Sequence, residues 1–72
     1  MHVHRKHLSD LIRVYAKGDD DAAVRREVRD WRAKVQSGLV LTLPGLPPVE
    51  IQDEAELNRW LNFRFPRLYP RP

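Results

Sequence analysis

The side chains able to do chemistry are few. His2, His4 and His7 are the only imidazoles, all three fall in the first seven residues, and the chain has no Cys. The spacing H-x-H-x-x-H matches no rigid ligand geometry of a helix or strand, so it predicts plain terminal histidines rather than a metal site. No Gly-rich loop is present to cradle a phosphate. Most carboxylates are explained as helix starts and ion-pair partners. With no nucleophile, base and orienting group in reach of one another, the chain predicts no enzyme, no cofactor and no small-molecule substrate.

What remains is arginine. Residues 25–34, RREVRDWRAK, place five basic groups around one Trp. Projected at about 100° per residue, Val24, Val28, Trp31 and Val35 form one apolar stripe. Arg25, Arg29 and Arg32 form a flank beside it, and Glu27, Asp30 and Lys34 lie on the opposite flank. Arg26 and Lys34 each have Asp30 one turn away, and Arg25 has Asp21 one turn back. Arg29 and Arg32 have no acid at i±3 or i±4. They predict either a solvated helix flank or a pair of guanidinium forks aimed at carboxylates or phosphates.

A second basic stretch closes the chain. RWLNFRFPRLYPRP alternates arginine with Trp, Phe and Tyr. Such a stretch either stacks on bases, docks on a protein through aromatic and arginine anchors, or turns Phe63, Phe65 and Tyr69 back to complete a small core. Charge follows the same division. Residues 1–17 carry +3, residues 18–38 carry 0, residues 39–56 carry −4 and residues 57–72 carry +4. Positive ends select a negative partner surface. Arg5, Lys6, Arg64 and Arg67 at those ends join Arg25, Arg29 and Arg32 as the expected partner-binding residues.

The elements that must hold these groups follow from periodicity. Residues 1–7 show no period and are expected to form a mobile arm. Leu8, Leu11, Ile12, Tyr15 and Ala16 mark one face of a first helix, stopped by Gly18. Asp19, Asp20 and Asp21 open the second helix, where one can cap and all suit the dipole. Gly38 ends it. Residues 39–43 and 49–51 are short apolar runs either side of Pro44-Gly45, which suits a type II turn, so they form a small hairpin or an irregular wing. Pro47 and Pro48 confine the second run to an edge. Asp53 and Glu56 start a third helix with Leu57, Trp60 and Leu61 on its apolar face, ending near Phe63 because Pro66 follows Phe65. The proline-rich tail is expected to run extended.

The fold class expected is mainly α: three short helices, with the hairpin or wing between the second and third. A chain of 72 residues makes one domain, placed at residues 8–63 between the arm and a tail at 64–72, and it buries only about 60% of its unfolded surface. No run reaches the length of a membrane span and no signal-peptide core is visible, so a soluble cytoplasmic protein is expected.

The order helix, turn, helix, hairpin, helix resembles the small winged-helix proteins of the excisionase and MerR type. The resemblance covers about residues 8–62 and is carried by VRREVRDWRAKVQSG (24–38) and DEAELNRWL (53–61). It implies that the second helix enters the major groove, that a short wing follows and that the W-L helix packs behind. Two features depart from the pattern. Three aspartates stand where the reading helix would meet phosphates, and residues 39–51 hold no Lys or Arg. Phosphate contact supplies most non-specific affinity, so the departures weigh against DNA. The function expected first is therefore a non-enzymatic regulator docking on an acidic protein, with transcription machinery the natural target. In size and lack of cofactor sites it is similar to small phage-encoded regulators that bind host RNA polymerase. The alternative is a sequence-specific winged-helix DNA binder; a structural or assembly adaptor is the third.

Overall fold

The computed structural model describes residues 3–71, so His2, one of the three histidines above, lies outside it. The chain runs β1 (His4–His7), α1 (Ser9–Lys17), α2 (Asp21–Lys34), a 3-10 turn (Val35–Ser37), β2 (Leu39–Thr42), β3 (Val49–Ile51) and α3 (Glu54–Arg64). The mainly α expectation is therefore incomplete. Three strands join in one sheet of order β1-β2-β3, with β1 parallel and β3 antiparallel to β2.

The segment expected as an arm includes the first of these strands. His4 pairs with Leu39 and His7 with Thr42, and the His4 N–H donates to the Gly38 carbonyl at 2.9 Å. Parallel neighbours need a crossover connection, and here α1 and α2 supply it. Leu8 is the pivot: its N–H donates to Thr42, its carbonyl accepts from Ile12, and its side chain is buried. The hairpin is correspondingly not a wing set apart from the body. Its first strand is the centre of the sheet, and Leu39 and Leu41 on one face belong to the core. Val40, on the other face, lies between Arg5 and Glu50, the residues paired with it on either side.

Local chemistry accounts for the joints. Gly18 closes α1 at φ 75°, a left-handed value that suits glycine, and the Asp20 carboxylate accepts from the Ala23 N–H to cap α2. Gly45 follows Pro44 at φ 73°, and the Leu46 N–H donates to the Leu43 carbonyl, as a type II turn requires. Asp53 caps α3 by accepting from the Glu56 N–H at 2.8 Å.

The core draws on α2, the 3-10 turn, β2, β3 and α3, and α1 packs against it through Leu11, Ile12, Val14 and Tyr15. Val24, Val28 and Trp31 from α2, Leu57 and Leu61 from α3, and Leu39, Leu41 and Ile51 from the sheet are buried together. Phe65, just past α3, is only 1% exposed. It packs edge-on to Trp60 and tilted against Tyr15, while Trp60 meets Trp31. The tail does not run extended, because after Phe65 it turns: the Leu68 and Tyr69 N–H groups both donate to the Phe65 carbonyl. Of the three aromatics that could fold back, Phe65 and Tyr69 do, and Phe63 stays 69% exposed. Strand and tail thus belong to the same packed body as residues 8–63.

Asp30 ties β1 to α2. Its carboxylate meets Lys34 at 2.9 Å and Lys6 at 3.3 Å. The Lys34 hydrogen bond is the main cause that holds the Asp30 carboxyl below the usual carboxylate range, against a smaller opposing effect of burial and with help from Lys6. A carboxyl whose folded value is depressed stabilises the fold above its unfolded value, and that stabilisation is lost as pH falls through the folded one. Urea midpoints of wild type and Asp30→Asn should differ by a constant amount above about pH 5 and converge as pH falls below about 4. A difference that stays constant down to strong acid would show that the lysine contacts do not act on the carboxylate's charge.

Candidate functional site

The α2 stripe that faces the core fixes where its arginines stand. With Val24, Val28 and Trp31 buried, Arg25 and Arg29 are exposed and Arg32 is half-buried on the adjoining flank. Among the described residues, no carboxylate forms an ion pair with Arg25, Arg29 or Arg32. Asp21, expected to serve Arg25, is taken instead by Arg67. That guanidinium donates to both Asp21 oxygens at 2.9 and 3.0 Å, donates to the Tyr15 carbonyl at 2.8 Å, and lies 4.6 Å from the centre of the Tyr15 ring. The Tyr15 hydroxyl in turn accepts from the Arg67 N–H.

This clasp joins the tail to the start of α2, and Tyr69 lies within the positive field of the α2 arginines. Burial pushes the Tyr69 phenol upward, and the positive field of Arg32, Arg25 and Arg29 partly opposes the shift. The result is a ridge of three arginines bordered by an aromatic hydroxyl, from elements far apart in sequence. The half-buried phenol and the planar guanidinium forks suit carboxylate or phosphate oxygens, which accept from several donors at once.

The other expected site residues are dispersed. Arg5 is exposed on the sheet face away from the core. Lys6 is engaged by Asp30 on the flank of α2 opposite the ridge. Arg64 is half-buried, with its guanidinium 5.5 Å from the centre of the Phe63 ring. Arg67, expected to face a partner, is a strut between the tail, α1 and α2. Arg26 was expected to share Asp30 with Lys34; the carboxylate is shared with Lys6 instead. His4 and His7 are an odd number of residues apart on one strand, so they leave opposite faces of the sheet and do not converge on one ion.

Two participants escaped sequence reasoning. Tyr69 is placed by the turn after the buried Phe65 and by the Arg67–Asp21 pair across 46 residues, which local spacing does not report. β1 gave no alternation because its half-buried positions are His4 and Lys6 rather than apolar residues. Among the described residues no helix is long and apolar enough to cross a membrane. No protein family, curated protein or solved structure matches the chain.

Proposed function

We propose that the protein is a non-enzymatic regulator that docks through the α2 ridge on an acidic surface of another protein, with the transcription machinery as target class and RNA polymerase as its leading member. The observation that carries this reading is the ridge itself: Arg25, Arg29 and Arg32 side by side, unpaired with any carboxylate among the described residues, next to Tyr69. Guanidinium and tyrosine are the groups that concentrate binding energy at protein interfaces. The surfaces around it favour a protein over a duplex. Asp19 and Asp20 are exposed at the start of α2, and the β2–β3 hairpin offers Glu50 and no cation. Phosphates approaching along these surfaces would be repelled.

A DNA-reading function is kept as the second reading on one specific observation. Helices α1 and α2 are joined by only three residues, 18–20, opening with Gly18, and the β2–β3 hairpin follows. That is the order of a helix-turn-helix unit with a wing. Arg67 also neutralises one of the three aspartates at the start of the reading helix.

The double variant Arg29→Ala, Arg32→Ala tests both. The tagged protein should retain RNA polymerase subunits from a bacterial lysate after nuclease treatment, and the variant should lose them while its thermal transition persists. Lysine at both positions should restore only part of the binding, because an ammonium cannot reproduce the planar fork. Retention that vanishes with nuclease, together with duplex binding by the purified protein at low salt, would transfer the ridge to DNA. Normal capture by the double alanine variant would reduce it to a solvated helix flank.

A further inference from the structure

We infer that the outer edge of β1 is a docking site for an extended, acidic segment of a partner protein, which adds to the sheet as a fourth strand. This goes beyond the ridge on α2, since β1 contacts the flank of that helix opposite the ridge, through Lys6 and Asp30.

The phase of the β1–β2 ladder carries the inference. The N–H groups of His4 and Leu8 both donate inward, to Gly38 and Thr42. In a parallel ladder alternate residues bond to the same neighbour, so Lys6 also points inward while the N–H and C=O groups of Arg5 and His7 point away from β2. β1 is an outer strand, with no strand on its second side among the described residues. That edge therefore offers backbone donors and acceptors at the spacing an incoming strand needs.

Charge selects the occupant. Among the described residues Arg5 has no ion-pair partner, Lys6 is a cation shared with Asp30, and β1 holds no acidic side chain, so an acidic strand is attracted at its centre and repelled nowhere along it. A second copy of the same edge would set basic residues against basic residues, which disfavours self-pairing. The opposite edge of the sheet is different in kind. β3 has three residues, follows Pro47 and Pro48, and carries Glu50. It is short and acidic, and it does not attract the same partner.

The test uses the intact protein and a short, end-blocked peptide of alternating glutamate and valine. Amide spectra should show the Arg5 and His7 resonances moving on titration and their hydrogen exchange slowing. A peptide of the same sequence, N-methylated at alternate residues so that it cannot complete the ladder, should bind at least about tenfold more weakly, as the loss of one or two hydrogen bonds implies. Lysine in place of glutamate should abolish binding. Arg5→Pro removes an N–H that the protein's own sheet does not use, so it should keep the fold and lose the peptide.

Equal binding by the N-methylated peptide would show plain charge attraction and overturn the inference, as would no change at Arg5 and His7 with millimolar peptide. Should Arg5→Pro fail to fold, the assignment of ladder phase is wrong and the inference falls with it. Peptide that perturbs Arg25, Arg29 and Arg32 and is lost in the ridge variant would leave the ridge reading intact and overturn this one. Binding at the edge that survives in the ridge variant supports it whatever becomes of the ridge.

Discussion

Trp31→Ala should leave little or no cooperative unfolding transition at room temperature. The indole is fully buried in the middle of the core, against Trp60 and among residues of α2, α3 and the sheet. Truncating a buried Trp costs about 3–5 kcal/mol, and at about 0.05–0.15 kcal/mol per residue a domain of this size holds a comparable total. Trp31→Phe should behave differently. The buried Trp31 Nε1 has no hydrogen-bond partner among the described residues, so phenylalanine sheds an unsatisfied donor as it gives up volume. Thermal denaturation followed by far-ultraviolet circular dichroism distinguishes the three proteins. A full, sharp transition in Trp31→Ala would place the core elsewhere.

Truncation after Arg64 should be as damaging, although it removes only the tail. It takes away Phe65, whose ring joins Tyr15 to Trp60, and Arg67, which holds the tail to both α1 and α2. Loss of the phenylalanine alone is worth about 3–5 kcal/mol by the same comparison. Phe65→Ala in the full chain should therefore resemble the truncation. Arg67→Ala should be milder, lowering the midpoint while leaving the aromatic cluster in place, because its contacts are at the surface. A truncated chain that unfolds at the wild-type midpoint would show that the tail merely rests on the body. If Arg67→Ala proved more damaging than Phe65→Ala, the clasp rather than the ring would be the main anchor.

How much of this was legible depended on range. The three helices were marked by local rules: Leu11, Ile12 and Tyr15 repeat at helical spacing, Asp20 and Asp53 cap, and Gly18 stops. Pro44-Gly45 marked the turn between β2 and β3. β1 was hidden because its pairing with residues 39–42 is remote and its sequence, HRKH, shows no apolar alternation. What makes it a strand is the row of backbone groups that Gly38, Val40 and Thr42 turn away from β3, which no rule applied to residues 4–7 can see. The ridge was legible in part, since Arg25, Arg29 and Arg32 do share a flank. The partner of Asp21 was misassigned for the same reason as β1: a residue one turn away was visible, and Arg67 was not.

The place of Phe65 and Arg67, after every strand and helix, has a consequence for synthesis. Phe65 and Arg67 close contacts with Tyr15 and Asp21, and β1 waits for residues 39–42. Chains emerge at roughly 5–20 residues per second, and contacts between distant segments form late. While the tail is still within the ribosome, Trp60 and Tyr15 lack their shared neighbour and the strand order is incomplete. Until residues 65–71 have emerged the nascent domain lacks this closure, and it completes its structure only once they have. A fusion that keeps its C-terminus tethered close to the ribosome should hold it unfolded, whereas a long spacer after Arg71 should let it fold before release.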